Sequence, residues 1–287
     1  MDSYFSDTLD LPSVQIFASV RFALFCFAKT VPVQTSRLSS KYLPQAFVLC
    51  YFVLIFNRIK ATLCYNSVTL TIKIMASTEI AKILLENKAV KLSFNPPFTY
   101  TSGMKGPIYT DNRVLVSFVG ARDTIVDGFL AAIKENNLEF DYVAGTATAG
   151  IPWAAFVAQK LGVPMIYIRP EPKGHGTGKQ IEGFLEAGKR VLVVEDLVTT
   201  GGSSLKSVNV VKNEGKCICD SVLAIFTYGL GKSVKAFSEA GIKLFALTDL
   251  DELLKAAVAS SFISADDEAK ILEYKADPEN WASKMGL

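Results

Sequence analysis

The chain has 287 residues, half of them hydrophobic, and its 30 basic and 28 acidic side chains leave a net charge of +2. This length allows one large domain or two small ones. A charge so close to neutral gives no electrostatic reason to expect a nucleic-acid partner. The single histidine, His175, is the only residue on which a Ser-His-Asp or Cys-His hydrolase could be built.

Residues 1–74 differ in composition from the rest of the chain. They carry seven of the basic and three of the acidic side chains, and they contain no glycine. Their most apolar run, residues 46–56, falls well short of the ~20 residues that span a bilayer. Three interpretations are open: a working protein that starts at Met75, an organelle-targeting segment, or an interfacial anchor. We favour the first, and we expect residues 75–287 to form the functional domain.

The cysteines indicate neither a disulfide framework nor a zinc site. Three of the five lie in residues 1–74. Cys217 and Cys219 are separated by one residue on a predicted strand, and the main domain has no second pair of cysteines to complete a zinc site with them. A reducing compartment, and hence a cytoplasmic location, fits this pattern. Organelle targeting by residues 1–74 is the alternative.

From Met75 onward, helical and strand-like patterns alternate. The pattern predicts a helix at 78–87, an irregular stretch at 88–115 punctuated by prolines, and a helix at 123–137. It then predicts strands at 142–144, 165–168, 191–194, 221–226 and 243–247, with helices at 151–161, 203–213, 233–240 and the C-terminus. Such alternation is typical of an α/β fold, in which helices flank a parallel sheet.

The connection at 170–183 is longer than most loops in α/β proteins, and long loops are usually functional. It contains four glycines and several charged side chains, among them Lys173 and His175. Glycines permit hinge motion, and these charges suit a lid over a polyphosphate. A mobile surface hairpin is the simpler interpretation.

Residues 191–204 carry the most informative pattern in the chain. The apolar run 191–194 predicts a buried strand with Glu195 and Asp196 at its carboxyl end, where open α/β sheets bind ligands. The turn at 199–204, rich in hydroxyls and glycine, offers N–H groups at a helix N-terminus and so predicts an anion site. Carboxylates beside an anion site indicate a sugar phosphate with Mg²⁺ nearby. Neither a Walker nor a dinucleotide-binding glycine pattern is present.

Residues 191–204 resemble the phosphoribosyl pyrophosphate (PRPP) motif of type I phosphoribosyltransferases. Further blocks resemble the orotate phosphoribosyltransferase family and follow its order: 98–103 with 109–113, 145–152, and 168–176 with 180–183. The resemblance implies a type I phosphoribosyltransferase-like parallel sheet flanked by helices, with a small N-terminal hood. It also implies an enzyme of pyrimidine (UMP) biosynthesis that transfers the phosphoribosyl group of PRPP to orotate.

The resemblance assigns roles to residues of these blocks. Glu195 and Asp196 would hold the ribose hydroxyls and stabilise positive charge in the transition state. Lys173 and His175 would act in catalysis by reaching a neighbouring subunit of a homodimer. The PRPP-binding residues implied are Arg169, Lys173, His175, Glu195, Asp196, Leu197, Val198, Thr199, Thr200, Gly201, Gly202 and Ser203. The turn at 146–150 resembles the family's pyrophosphate-binding loop. Mg²⁺ is the expected cofactor, held mainly by substrate oxygens rather than by protein ligands.

Orotate requires an apolar slot and donors for its carboxylate. The candidates in the hood are Phe98, Ser102, Lys105, Tyr109 and Arg113. Among them we expect Lys105 and Arg113 to contact orotate, together with Thr199. For Arg113, a surface or interface charge is the alternative. The chain departs from some family members, which have lysines in place of Thr101 and Pro170.

Two other functions stay open. One is a purine phosphoribosyltransferase that uses the same PRPP motif. The other is a regulator that binds PRPP and reads nucleic acid, which would require a basic face or an added winged-helix domain. Only residues 1–74 are basic, and they show no helix-turn-helix pattern. We therefore expect PRPP and orotate as partners, and no nucleic acid.

Overall fold

The computed structural model describes residues 77–100, 103–172 and 178–287. The predictions made for residues 1–74, Ser102, Lys173 and His175 lie outside these described residues. Within the described ranges, no helix is long and apolar enough to cross a membrane.

Short strands near the start give way to a regular alternation of strands and helices. The strands are β1 (Val90–Leu92), β2 (Phe98–Thr99), β3 (Lys105–Gly106), β4 (Ile108–Thr110), β5 (Tyr142–Thr146), β6 (Met165–Ile168), β7 (Ile181–Glu182), β8 (Val191–Val198), β9 (Ser221–Thr227) and β10 (Lys243–Asp249). The helices are α1 (77–86), α2 (Val119–Glu135), α3 (Gly150–Leu161), α4 (Gly202–Asn213), α5 (Gly231–Ala240), α6 (Leu250–Ala259), α7 (Ala265–Ala276) and α8 (Trp281–Lys284). A 3-10 helix, Asn112–Ser117, precedes α2.

Six of the strands form one sheet in the order β10-β9-β8-β5-β6-β7. All neighbours are parallel except β7, which pairs antiparallel with β6 at the edge. The ends of β5 and β8 therefore meet in the middle of the sheet. This is the predicted α/β arrangement, and it places residues after β5 next to residues near the end of β8.

Helices bury both faces of the sheet. In β8, Leu192 and Val194 pack into a core that α2 and α3 complete, whereas Val191 and Val193 pack into a second core with α4 and α5. All four side chains are at most 2% exposed. A strand with two covered faces needs apolar residues at every position, which explains why residues 191–194 do not alternate.

Residues 88–117 form the small hood. It consists of two antiparallel strand pairs, β1 with β4 and β2 with β3, followed by the 3-10 helix. The Tyr100 hydroxyl donates to the carbonyl oxygen of Ile108 over 2.6 Å within the hood. The hydroxyls of Thr110 and Tyr228 share a hydrogen bond of 2.9 Å, which attaches the hood to the residues after β9.

The predicted elements are found, with shifted ends. The largest difference concerns β8, for which the predicted end at residue 194 is wrong. The strand continues to Val198 because residues 193–198 still pair with β9, so Glu195 and Asp196 lie inside its second half. The helix predicted at 123–137 spans Val119–Glu135.

The prediction for the two cysteines of the main domain is also wrong. Cys217 and Cys219 precede β9, and this segment joins the sheet through a single bridge between Arg190 and Ile218. The two cysteines therefore do not lie on a strand as predicted, and both are free thiols that pack into the same core.

The turn between β5 and α3 lies directly against β8. A Cβ atom on Gly150 would lie 2.5 Å from the carbonyl oxygen of Val194 and 3.4 Å from Cα of Glu195. Side-chain carbons do not approach a backbone oxygen so closely, so this packing requires glycine.

We predict that Gly150→Ala lowers the free energy of unfolding by about 2 kcal/mol, because the added methyl group must displace backbone atoms. Gly120→Ala is the matched control, since a Cβ on Gly120 in α2 meets no atom within 4 Å. Alanine there should stabilise the helix by roughly 0.5–1 kcal/mol. Denaturant unfolding of both variants measures the difference, and equal stabilities would contradict the packing argument.

Candidate active site

The second half of β8 buries two adjacent acidic side chains. Glu195 is 4% exposed and Asp196 is 9% exposed. The Glu195 carboxylate accepts hydrogen bonds from the hydroxyls of Ser203 and Ser204 over 3.4 and 3.2 Å, and from the backbone N–H of Asp196 over 3.2 Å. The structure thus connects Glu195 to the first turn of α4.

Burial changes the ionisation of this acidic pair. Burial raises the pKa of Glu195 to about 8, and the nearby charge of Asp196 adds to the rise. Burial also raises the pKa of Asp196, whereas hydrogen bonds to its carboxylate and the positive charge of Arg113 oppose the rise. Near neutral pH the pair therefore carries fewer than two negative charges, and it gains charge as the pH increases.

The turn after β8 leads into the N-terminus of α4. Gly201 has φ +84°, and a Cβ there would lie 2.7 Å from the ring of Phe237, so both conformation and space require glycine. Gly201 is the N-cap of α4 and has no side chain that could accept a hydrogen bond from the first N–H groups of the helix. Thr199, Thr200, Gly202 and Ser203 are exposed, which leaves this helix end open to an anion.

Leu197 and Val198 serve a different purpose from the rest of the motif. Leu197 packs against the core beside α2 and α3, and Val198 is buried in the core beside α4 and α5. Since the core buries the Val198 side chain, any contact of Val198 with a ligand would come from its backbone.

The turn at 146–150, which resembles the family's pyrophosphate-binding loop, lies beside the acidic pair. Gly150 brings it against Val194 and Glu195, and the Ala147–Thr148 peptide bond is cis. The buried hydroxyl of Thr146 donates to that of Ser207 on α4 over 3.1 Å. The two predicted phosphate-binding segments, after β5 and after β8, are therefore connected through α4.

Arg169 stands where the long loop leaves β6. Its guanidinium lies 3.4 Å from the Glu182 carboxylate, and its backbone carbonyl accepts a hydrogen bond of 3.0 Å from the Gln180 side chain. These contacts hold the two ends of the loop together. Lys173 and His175, predicted on the same loop, lie outside the described residues, so their roles stay predictions.

Two side chains of the α4 region tie the ends of this loop in place. The Glu214 carboxylate, at the C-terminus of α4, accepts hydrogen bonds of 3.0–3.1 Å from the backbone N–H groups of Gln180 and Ile181. Lys206 on α4 forms an ion pair of 2.7 Å with Glu171. The loop therefore begins and ends against the helix that follows the PRPP-like motif.

The hood residues predicted to contact orotate are accessible. Lys105 is exposed on β3, and the rings of Phe98 and Tyr109 lie 5.7 Å apart. The Arg113 guanidinium is exposed but bound through two nitrogens to Asp111, over 2.6 and 2.8 Å. Arg113 is close enough to Asp196 to lower the pKa of that carboxyl, which places it near the acidic pair.

Asn112 is a site residue that sequence reasoning missed. Its side chain is fully buried and donates to the backbone carbonyl oxygen of Asp196 over 2.7 Å. The only signal in the sequence is its position in the Asp-Asn-Arg block at 111–113. Nothing in that block predicts a contact with a residue 84 positions away.

Metal ligands are sparse around this site. Within the part of the chain that the structure describes, no three His, Cys, Asp or Glu side chains are grouped as a protein-built metal centre requires. Two neighbouring carboxylates match the small number that Mg²⁺ uses when phosphate and water supply its remaining ligands.

Comparison with known proteins agrees with this geometry. Residues 120–232 match the phosphoribosyl transferase domain family. The chain is 48% identical to an orotate phosphoribosyltransferase of Listeria innocua over 203 residues, which are 71% of this chain and 97% of the relative. It is 45% identical to the Coxiella burnetii enzyme of the same name over 205 residues, 71% of this chain and 98% of the relative.

Solved structures show the same fold. Orotate phosphoribosyltransferase from Aeropyrum pernix is 34% identical with a TM-score of 0.55, over 61% of this chain and 96% of that one. UMP synthase of Leishmania donovani is 27% identical with a TM-score of 0.59, over 70% of this chain and 42% of that one. The predicted type I phosphoribosyltransferase-like fold is thus confirmed, and the chain belongs to the orotate phosphoribosyltransferase family.

Proposed function

We propose that the chain transfers the 5-phosphoribosyl group of PRPP to orotate, which yields orotidine 5′-monophosphate and pyrophosphate. The observation that carries this proposal is the buried pair Glu195 and Asp196, followed by the turn at 199–201 and by the N-terminus of α4, whose N-cap Gly201 has no capping side chain. A ribose 5-phosphate requires an anion site at one end and hydroxyl acceptors at the other. The two relatives that are named orotate phosphoribosyltransferases align with this chain over nearly their whole length. This supports orotate as the acceptor.

The 5′-phosphate is a dianion and fits the loop at 199–203. Backbone N–H groups at the start of α4 and the hydroxyls of Thr199, Thr200 and Ser203 are suitable donors. The positive end of the helix dipole favours the same position. The phosphate thereby fixes one end of the substrate next to β8.

The acidic pair then meets the ribose. In the ionised form, Glu195 and Asp196 accept hydrogen bonds from the ribose hydroxyls. As the bond from C1 to pyrophosphate breaks, positive charge develops on the ribosyl ring, and fixed carboxylates nearby stabilise it without reorganisation. Burial strengthens this effect because water does not screen the charges.

Pyrophosphate leaves toward the turn at 146–150 and the start of the long loop. Arg169, at the start of that loop, is a cation suited to the pyrophosphate. The family resemblance adds Lys173 and His175 as further pyrophosphate-binding residues. When bound, Mg²⁺ neutralises pyrophosphate oxygens, and Asp196 and Glu195 are the nearby carboxylates that could hold it through water. Closure of the loop excludes water from the reactive ribosyl group.

Orotate binds under the hood in this proposal. Lys105 and Arg113 are suited to its carboxylate, and Thr199 supplies a further polar contact. Two of the three guanidinium nitrogens of Arg113, Nε and Nη2, donate to Asp111. Arg113 would therefore bind orotate through the remaining nitrogen, Nη1.

We propose further that residues 75–287 are the catalytic domain, acting as a homodimer in the cytoplasm. The two described cysteines are free thiols, which supports a reducing compartment. The relatives align with about the same number of residues as this domain contains.

The first prediction from the proposed function is that the full chain turns over PRPP and orotate in the presence of Mg²⁺. The loss of orotate absorbance measures this turnover. Adenine, guanine and hypoxanthine serve as competing acceptors. Turnover with a purine base but not with orotate would replace the proposed function with that of a purine phosphoribosyltransferase. PRPP binding without transfer to any base would favour a regulator.

A second prediction concerns pH. We expect kcat/KM for PRPP to rise from about pH 7 to 9, because the carboxylate form of Glu195 becomes populated near its raised pKa. Asp196→Asn removes the negative charge that helps to raise this pKa. The acid limb of that variant should therefore lie at lower pH despite its reduced activity. The same limb in both proteins would contradict the assignment to Glu195.

The third prediction tests the lid and the dimer together. Lys173→Ala and His175→Ala should each lower kcat by tenfold or more with unchanged unfolding curves, because they remove cations facing pyrophosphate. Mixing Lys173→Ala with Asp196→Asn then tests which subunit supplies the lid.

If the lid serves the neighbouring subunit, each mixed dimer has one complete site, and co-expression should restore about one quarter of the unaltered activity. If each lid serves its own subunit, no mixed site is complete and activity stays at the level of the parents. Co-expression of Lys173→Ala with His175→Ala is the control, because both defects lie on the lid and no mixed site is complete.

A further inference from the structure

Asn112 joins the hood to the acidic pair, although the mechanism proposed above gives it no role. Its side chain is fully buried, and Nδ2 faces the carbonyl oxygen of Asp196 at 2.7 Å. The other amide atom, Oδ1, is also buried and accepts no hydrogen bond from the described residues. A buried polar atom without a partner costs free energy. The hydrogen bond from Nδ2 to Asp196 therefore offsets the free energy that the unpaired Oδ1 costs.

The 3-10 helix explains why the side chain points inward. Residues three apart lie on the same face of such a helix, which places Asn112 and Leu115 together. Leu115 is fully buried in the apolar core. An apolar side chain would therefore suit position 112 for packing, and what the amide adds is the hydrogen bond to β8.

The bond reaches β8 where the strand has lost one neighbour. Pairing of β8 with β5 ends at Val194 and Gly145, whereas pairing with β9 continues to Val198. Asp196 thus lies in a stretch that has a strand on one side only. Asn112 supplies a contact from outside the sheet to this stretch.

One peptide unit connects this bond to the carboxylate. The carbonyl group of Asp196 and the N–H of Leu197 belong to the same planar unit. The backbone N–H of Leu197 is among the groups that lower the pKa of the Asp196 carboxyl. The Asp196 carbonyl carbon is also bonded to the Cα that carries this carboxyl side chain. Holding the carbonyl oxygen therefore restricts the backbone from which the carboxylate projects.

We propose that Asn112 is a positioning residue for the acidic pair. It touches no substrate, and it fixes the Asp196–Leu197 peptide unit so that the Asp196 carboxylate is aligned with the ribose hydroxyls. This inference rests on the proposed function in one respect, namely that the acidic pair binds ribose.

The test compares two ligands on the full chain carrying Asn112→Leu, which keeps the branched shape of the side chain and removes the donor. Ribose 5-phosphate reaches both the loop at 199–203 and the acidic pair, whereas inorganic phosphate reaches the loop alone. We expect the Kd of ribose 5-phosphate to rise about tenfold, as for the loss of one well-placed hydrogen bond, and that of phosphate to change less than about twofold. NMR titration measures both, and kcat with PRPP and orotate should fall at least tenfold.

Trp281→Phe is the matched control, because it removes a comparable bond from a buried side chain to a backbone carbonyl, that of Lys270, at 2.9 Å. It should leave the ratio of the two Kd values unchanged. If Asn112→Leu unfolds, Asn112→Ser provides the same comparison. Equal weakening of both ligands, or of neither, would overturn the positioning role. If Asn112→Leu removes the preference for ribose 5-phosphate but the unaltered protein does not turn over orotate, the proposed function is refuted. The positioning role of Asn112 stands in that case.

Discussion

The burial of two adjacent carboxylates in the central strand is the constraint on which the rest of the site depends. Removing a carboxylate from water is costly unless hydrogen bonds or opposite charge compensate. Two serine hydroxyls face Glu195, backbone N–H groups serve both carboxylates, and Arg113 lies nearby. The compensation is incomplete, and the pKa of each acid is raised as a result. A pair stabilised only in part in the free protein gains most from hydroxyl donors and developing positive charge, which is what a ribosyl transition state offers.

Close packing around the second half of β8 fixes the positions of the two carboxylates. The turn after β5 approaches the strand at Gly150 more closely than any side chain allows, and the turn after β8 does the same at Gly201 against Phe237. Asn112 approaches from the hood. The turn after β5 and the hood, which are distant in sequence, thus meet the same few residues of β8, and Phe237 leaves little room for displacement of the turn that follows. The carboxylates are held by their surroundings as much as by their own strand, which is the condition for electrostatic preorganisation.

The order of strands and helices along the chain could be predicted from the sequence, because the apolar runs and the helical spacing within each element show which of its residues are buried. The end of β8 could not, since polarity at residues 195 and 196 normally marks the end of a buried strand, and only their pairing with β9 shows that the strand continues. The turn at 146–150 lies beside the PRPP-like motif because β5 and β8 are neighbouring parallel strands, and the sequence does not reveal this strand order. Asn112 was missed because its partner is a backbone carbonyl, which has no sequence signal. The cysteines were misplaced because apolar residues before β9 pack into the core as a loop.

Helix α4 connects the parts of the proposed mechanism. Its N-terminus is the proposed phosphate site, Ser207 accepts a hydrogen bond from Thr146 at the end of β5, and Lys206 pairs with Glu171 at the start of the long loop. At the other end, Glu214 holds the N–H groups where that loop returns to the sheet. The exposed ion pair adds little by itself, whereas the backbone bonds to Glu214 fix the loop's return relative to the phosphate site. In the proposed mechanism, a substrate with a phosphate at one end and a pyrophosphate at the other contacts segments that the same helix holds in place, so that the distance between its charged groups becomes part of its recognition.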